Sequence, residues 1–262
     1  MSGSIRFDRA VEFYDQTRAI SEESMERTVE LLASQLDGRG RLLEVGVGTG
    51  LLALPLHERG LDVTGLDLAE PMLAKLTEKA GRRTPFPLVL GDATRMPFRG
   101  GSFGGAYLRW VLHLIPDWRT AVAEIVRVVR PGGAFVASLG AHGGPREEIS
   151  DRFAEETGLD LGLVGLDWGA SDELDEVMRS LGCNPREIPQ VREVVDQTLD
   201  SFIGSIAEGR WSWTWRMHED LRRRTAERIR PWAEARFGPL DAPYQEELAT
   251  RWCAYDLPER GA

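Results

Sequence analysis

The sequence predicts an α/β fold in which a mostly parallel sheet carries helices on both faces. Two observations lead to this expectation. Between Arg41 and Leu139, short β-rich segments alternate with amphipathic helical segments at the spacing of βαβ units. The first of these strands runs into a glycine-rich loop, and parallel sheets bind ligands at loops beyond the carboxyl ends of their strands.

The composition is that of a folded domain with a buried core. Of the 262 residues, 42% are hydrophobic and 28% are charged, both ordinary values for a globular protein. Cys183 and Cys253 lie far apart and in no metal-ligand spacing, so neither a disulfide framework nor a zinc site is expected. The N-terminus lacks the apolar core of a signal peptide, and no apolar run is long enough to span a bilayer. We therefore expect a soluble, cytoplasmic protein.

The net charge argues against one class of partner. With 32 basic and 42 acidic side chains, the formal charge at pH 7 is −10, which would repel nucleic acid over most of the surface. The arginines between positions 222 and 230 share their predicted helix with Glu219, Asp220 and Glu227, and we interpret them as a solvated face. A small-molecule partner is expected, and neither nucleic acid nor a membrane.

The first elements in chain order are two predicted helices within residues 1–38. Apolar residues recur at helical spacing from Phe7 to Tyr14 and from Met25 to Leu36, and Gly38 and Gly40 end the second helix.

Five strands and three helices are then predicted up to Leu139. Pro71 stands in the first turn of one helix, where proline is well tolerated. Pro131-Gly132-Gly133 is expected to end the last of these helices as a turn before the fifth strand. The predicted strands are residues 42–45, 61–66, 86–90, 102–108 and 134–139, and the helices are residues 51–59, 69–80 and 117–129.

After Leu139 the regular alternation ends. Residues 141–183 predict a helical insertion, and residues 188–195 and 248–255 predict two late strands that flank a long helix at 217–237. No internal repeat or low-complexity linker is visible. We therefore treat the chain as a single domain, with an N-terminal part (1–38), a core (39–140) and a late part (141–262).

The segment Leu42–Gly50, LLEVGVGTG, is the most informative part of the sequence. Its three glycines allow a sharp turn and a close approach of a ligand to the main chain. A dinucleotide fingerprint, G-x-G-x-x-G, would need a glycine where Leu51 stands. Glu44, just before the first glycine, would repel a pyrophosphate and suits a cationic ligand better.

Four segments, in order, resemble the class I S-adenosylmethionine-dependent methyltransferase family. The pattern acidic-x-Gly-x-Gly-x-Gly that starts at Glu44 resembles motif I of that family. Asp67 in GLDLAEPML and Asp92 in GDATRMPF stand where the family places an acid after its second and third strands. EIVRVVRPGGAFV, residues 124–136, resembles the family's helix, Pro-Gly-Gly turn and fifth strand. The resemblance covers residues 41–139 and extends faintly over residues 7–18.

The resemblance implies a Rossmann-like, seven-stranded sheet with an antiparallel last strand, an N-terminal helical lid and a helical insertion after the fifth strand. It also implies S-adenosyl-L-methionine as cofactor. Asp67 would accept from both ribose hydroxyls, Asp92 and the Ala93 amide would meet the adenine, and Glu44 would attract the ammonium group. The cofactor-binding residues implied in this way are Tyr14, Arg18, Glu44, Gly46, Gly48, Gly50, Asp67, Leu68, Asp92, Ala93 and Arg109.

Few residues qualify for the chemistry at the methyl acceptor. In-line positioning supplies much of the acceleration, and a general base is needed only where the acceptor must lose a proton. His113, just after the fourth strand, is the candidate base, and a hydrogen-bonded structural histidine is the alternative. The candidate substrate-binding residues are Trp110, His113, His142 and Trp213.

The tryptophans suggest a flat or hydrophobic acceptor. Trp211, Trp213 and Trp215 alternate in GRWSWTWRM, and an extended backbone would place their rings on one side. Such rings, with Trp110, could wall a pocket for an aromatic acceptor. The alternative is a satellite core beneath the late part of the chain.

Several other functions stay open on the sequence. A relative could bind S-adenosylmethionine without transferring the methyl group, could methylate a protein, or could use a decarboxylated cofactor for aminopropyl transfer. A nicotinamide-dependent oxidoreductase is the alternative from another enzyme class, and Leu51 argues against it.

Overall fold

A computed structural model describes most of the chain. The residues described are 4–5, 7–8, 11, 14–15, 21–140, 144–158, 164–167, 170–196 and 198–259, and for 193–196 and 245–249 the backbone alone. Arg18, His142 and most of the first predicted helix lie outside these residues. The chain forms two compact units, the first from residues 1–140, 164–191 and 250–262 and the second from residues 141–163 and 192–249.

The elements follow the predicted alternation closely. In chain order, the helices are α1 (Glu22–Leu36), α2 (Ala53–Glu58), α3 (Glu70–Lys79), α4 (Trp118–Val128), α5 (Pro145–Thr157), α6 (Ser171–Ser180), α7 (Leu199–Ala207) and α8 (Glu219–Phe237). The strands are β1 (Leu42–Val45), β2 (Val63–Asp67), β3 (Leu88–Leu90), β4 (Phe103–Arg109), β5 (Val129–Leu139), β6 (Asn184–Arg186), β7 (Val191–Asp196) and β8 (Gln245–Asp256).

The strands form one mixed sheet with the order β3-β2-β1-β4-β5-β8-β6, and β7 also pairs with β8. The first five strands are parallel, and β8 runs antiparallel to both β5 and β6. The predicted mostly parallel sheet with an antiparallel last strand is confirmed. The sheet has eight strands in the described residues instead of the predicted seven, because Asn184–Arg186 adds β6 beside β8.

Two buried clusters hold the sheet between its helices. Leu42 and Leu43 are consecutive in β1 and fully buried, and they belong to opposite clusters, as the alternation of side chains along a strand requires. Val122 and Ile125 of α4 pack in one cluster, and α1 packs in the other through residues such as Leu32. All four residues of β1 are therefore buried, between β2 on one side and β4 on the other.

The start of β5 differs from the prediction. The Pro131-Gly132-Gly133 segment was expected to separate helix and strand, but β5 already begins at Val129. Val129 pairs with Phe103, and the register then shifts before Gly105 pairs with Ala134. The segment is therefore an irregularity inside the strand, of the kind that accommodates extra residues in a sheet.

In the second unit, the residues Trp211–Trp215 are not extended, so the condition under which their rings would share one side is not met. Residues Ser212–Thr214 form a short 3-10 helix. The indole N–H groups of Trp211 and Trp215 donate to Ser205 Oγ at 2.7 Å and to the Gly209 carbonyl at 2.8 Å. These local hydrogen bonds favour the 3-10 helix over an extended backbone.

Trp213 packs inside the second unit. Its ring lies edge-to-face on Phe153, with 5.7 Å between the centroids, and borders the cluster that α5, α7 and α8 share.

In the part of the chain that the structure describes, no helix combines the length and apolar character needed to cross a bilayer.

We predict that Gly104→Ala will strongly destabilise the protein. A Cβ atom at Gly104 would lie 1.6 Å from the carbonyl oxygen of Arg39, and backbone cannot give way as a side chain can. The expected loss in the free energy of unfolding, measured in urea, is about 3 kcal/mol or more. In Gly204→Ala, the matched control within α7, the new Cβ meets nothing within 4 Å. This control should gain roughly 0.5–1 kcal/mol. Equal stability of the two variants would contradict the close contact between Gly104 in β4 and the backbone of Arg39.

Candidate functional site

A cleft opens in the first unit beyond the carboxyl ends of β1, β2, β3 and β4. The space within it, including the solvent at its open mouth, is about 670 Å³. The lining residues are Ser4, Ile5, Phe7, Tyr14, Val45, Gly46, Gly48, Leu66, Asp67, Leu68, Ala69, Met72, Gly91, Asp92, Ala93, Arg109, Trp110, Val111, Leu114 and Ile115. Residues from four strand ends and from the N-terminal segment thus meet in one place.

The glycine loop follows β1 directly. Gly46, Gly48 and Gly50 all have positive φ, at 74°, 53° and 80°, a region that side chains with a Cβ rarely adopt. A Cβ at Gly46 would also lie 2.5 Å from the side chain of Val111. The loop therefore needs glycine both for its backbone conformation and for its close approach to the segment after β4.

Asp67, at the end of β2, holds the loop in place. Its Oδ2 accepts from the Gly48 amide at 2.7 Å, and its Oδ1 accepts from the Ala69 amide at 2.8 Å. Burial raises the pKa of this carboxyl above its ordinary value, and the Ala69, Gly48 and Leu68 amides oppose the shift. Each ionised oxygen accepts more than one hydrogen bond, so Asp67 retains acceptor capacity toward the cleft.

Glu44 is the second acid beside the glycine loop, and it is only 4% exposed. Tyr107 Oη donates to its Oε2 at 2.9 Å. Burial raises the pKa of Glu44 to about 8, against the opposing hydrogen bond from Tyr107, and the nearby Asp67 raises it further while Arg109 lowers it. At neutral pH the carboxyl is therefore largely protonated. The sequence analysis did not single out Tyr107. The only signal for it would have been the parallel pairing of β1 with β4, which puts Tyr107 opposite Glu44.

The third predicted acid, Asp92, lines the cleft as Asp67 does, whereas Glu44 is not among the lining residues. Asp92 Oδ1 accepts from the Thr94 amide at 2.9 Å and from the Thr94 hydroxyl at 2.8 Å, which fixes the turn after β3. Ala93 and Leu68 line the same space. The residues predicted from motif order are thereby brought together at one edge of the sheet.

Two residues of the N-terminal segment lie against the glycine loop. Tyr14 lines the cleft, and a Cβ at Gly48 would be 3.8 Å from its ring. The neighbouring Asp15 accepts from Thr49 Oγ1 at 2.5 Å and from Lys79 Nζ at 2.9 Å. Asp15 was not singled out from the sequence, since no local pattern links it to positions 49 and 79.

The segment after β4 forms the other wall. Arg109 is 9% exposed, and its Cζ lies 3.8 Å from the ring centroid of Trp110. His113 is half-buried in a 3-10 helix, Leu112–Leu114, and residues on either side of it, Val111 and Leu114, line the cleft.

Comparisons with known proteins agree with this architecture. A family model described as a methyltransferase domain matches residues 43–137. A demethylmenaquinone methyltransferase of Beutenbergia cavernae is 33% identical over 137 residues, which are 50% of this chain and 55% of that protein. The chain thus spans about half the length of this curated relative.

Two solved structures share the fold. A protein of Bacillus halodurans described as a methyltransferase superposes with a TM-score of 0.60 at 18% identity, covering 88% of this chain and 98% of that one. A phosphoethanolamine N-methyltransferase of Haemonchus contortus, solved with S-adenosylhomocysteine, gives 0.58 at 18% identity, covering 96% and 58%. The cofactor of the family is S-adenosylmethionine. Through its domain at residues 43–137, this chain belongs to the class I S-adenosylmethionine-dependent methyltransferase family.

Proposed function

We propose that the protein transfers a methyl group from S-adenosylmethionine to an O, N or C atom of a small metabolite. The observation that carries the proposal is the pair of buried carboxyl groups beside the glycine loop. Asp67 accepts a hydrogen bond from the Gly48 amide in the loop, and it lies close enough to Glu44 to raise the pKa of Glu44. A ligand that combines hydroxyl groups with positive charge suits this pair.

The described residues fit this cofactor better than a nucleotide. S-adenosylmethionine carries a sulfonium, an ammonium and vicinal ribose hydroxyls, which match two acids and a close-approach loop. A dinucleotide would bring a pyrophosphate, which an ionised Asp67 would repel and which usually needs a glycine in place of Leu51. Asp67 would hold the ribose, Asp92 and Ala93 the adenine, and Glu44 the ammonium.

The remaining cofactor contacts stay part of the proposal. Tyr14 and Arg18 would cover the methionine end, and Leu68 and Arg109 would complete the walls. The Asp15 bonds to Thr49 and Lys79 support this role for the N-terminal segment, because they hold Tyr14 beside the loop.

When bound, the cofactor supplies a methyl group on a sulfonium, which is a good leaving group. The chain's own work is to position the acceptor in line and to exclude water. Val111, Leu114 and Ile115 present apolar surface to the cleft for the second task. His113 would take a proton only where the acceptor must lose one, and His142 and Trp213 remain proposed acceptor contacts.

A small acceptor agrees with two further observations. The net charge of −10 disfavours nucleic acid, and the relative of Beutenbergia cavernae is named as a methyltransferase of demethylmenaquinone, which is not a macromolecule. A cytoplasmic location stays a prediction.

The proposal is tested by incubating the full chain with methyl-labelled S-adenosylmethionine and a panel of phenols, hydroquinones, amines and carboxylic acids. Mass spectrometry should find a labelled product and S-adenosylhomocysteine in equal amounts. Tight cofactor binding without product from any acceptor would favour a non-catalytic S-adenosylmethionine protein. Binding of NADH in a parallel titration would favour the oxidoreductase alternative.

We predict that Asp67→Asn will weaken S-adenosylmethionine binding by roughly 10- to 100-fold, as expected for charge-assisted hydrogen bonds lost from the ribose. Isothermal titration calorimetry measures the dissociation constant. Asp62→Asn is the matched control, because Asp62 precedes the same strand at its far end and pairs only loosely with Arg41 at 3.8 Å. Equal affinity in Asp67→Asn and Asp62→Asn would remove Asp67 from the site.

We also predict that cofactor binding will release about one proton at pH 7 from Glu44. The pKa of Glu44 is about 8 in the free protein, so its carboxyl is mostly protonated, and a nearby ammonium favours the ionised form. Calorimetry in buffers of different ionisation enthalpy counts the protons. Glu44→Gln should release none, and the exposed Glu58→Gln should behave as wild type.

The same raised pKa affects the free protein. A carboxyl that binds its proton more tightly when folded stabilises the fold fully at acid pH, and loses that contribution as pH rises toward 8. Glu44→Gln should therefore remove part of the loss of stability between pH 5 and 8. A wild-type pH profile in this variant would show that Glu44 ionises normally.

A further inference from the structure

Trp110 has an unusual backbone conformation for a tryptophan. It is the first residue after β4, and its φ is +56°. Among the described residues other than glycine, only Trp110 and Arg82 have a positive φ. Such a conformation persists only where the surroundings enforce it, and it is common at ligand sites. Here the residue lines the cleft, between Arg109 and Val111.

Arg109 holds the indole ring of Trp110. Its guanidinium carbon lies 3.8 Å from the ring centroid, within the range of a cation–π contact, and the arginine is almost fully buried at the end of β4. The stacked cation draws electron density from the ring, which strengthens the indole N–H as a donor. The ring is thus oriented by a strand residue and not by a loop.

The indole nitrogen of Trp110 is buried, and among the residues that the structure describes no group accepts a hydrogen bond from it. Buried tryptophan N–H groups usually have a partner, as those of Trp211 and Trp215 do. Among the described residues, that of Trp252 in β8 also lacks one, but Trp252 is not among the residues that line the cleft. Trp110 thus combines a strained backbone, a stacked ring and a place in the cleft lining with a donor that has no partner among the described residues, and this combination points to a ligand atom as the acceptor.

We propose that Trp110 Nε1–H donates a hydrogen bond to an anionic oxygen of the methyl acceptor, a carboxylate or a phenolate. The polar side chains of this wall, Arg109 and Trp110, donate only, whereas the acid Asp67 ends β2 and Asp92 follows β3. An ammonium-bearing acceptor would meet a cation and a donor at this wall. The inference rests on the proposed function, since it assigns the acceptor of the same cleft.

The test observes the indole N–H directly in the full chain. The protein is labelled with 15N-tryptophan and saturated with S-adenosylhomocysteine, and the Trp110 resonance is identified by its absence in Trp110→Phe. Benzoate and 4-nitrophenolate are the probes, and benzylammonium is the control of opposite charge. Benzoate or 4-nitrophenolate should move the Trp110 N–H proton downfield, and benzylammonium should not. The probe that moves it distinguishes a carboxylate from a phenolate.

Affinity gives the second readout. Trp110→Phe keeps the ring and the Cβ but removes the donor, and should weaken binding of the responding probe about tenfold, the loss expected for one hydrogen bond to a charged acceptor. Trp215→Phe is the matched control, because its N–H already donates to Gly209, and it should bind the probe as wild type does.

Two results would overturn the inference. One is a Trp110 resonance that neither anion moves, which would mean that an ordered water or nothing occupies the donor. The other is an equal response to benzylammonium. S-adenosylhomocysteine binding is measured on every sample, so failure of the cofactor site, which would remove the proposed function itself, is distinguished from failure of the acceptor contact alone.

Discussion

The parallel pairing of β1 with β2 on one side and β4 on the other determines the geometry of the cleft. The register places Glu44 opposite Gly65 and opposite Tyr107, so a buried carboxyl and a phenol meet across two strands. One residue further along, β1 ends in the glycine loop where β2 ends at Asp67, and the Gly48 amide bonds to that carboxylate. Without this register the acids would not lie beside the loop.

The resulting cleft has two chemically different ends. Near the ends of β1 and β2, burial raises the pKa values of the Glu44 and Asp67 carboxyl groups, and the proposed cofactor would pair its ammonium and hydroxyl groups with them. Beyond β4, Arg109 and Trp110 offer donors and positive charge. On the proposed function, a cationic cofactor would lie at the first end and an oxygen-bearing acceptor at the second.

The sequence predicted those features that depend on local pattern. Strand ends, the glycine loop and the acids at positions 67 and 92 follow from short motifs and their order. Strand β6 could not be predicted, since Asn184–Arg186 contains proline and pairs only because β8 returns beside it. The 3-10 helix within Trp211–Trp215 depends on partners within its own unit, and the alternation of tryptophans along the sequence does not reveal them. The strain at Trp110 is likewise a tertiary effect.

The central claim is that S-adenosylmethionine binds across the carboxyl ends of β1 and β2 with its ribose on Asp67. A crystal structure of the full chain with S-adenosylhomocysteine tests it most directly. The account predicts electron density along the glycine loop, both ribose hydroxyls within hydrogen-bond distance of the Asp67 carboxylate, and the amino group on the side of Glu44. A bound ligand whose ribose makes no contact with Asp67, or a ligand bound elsewhere on the chain, would contradict it.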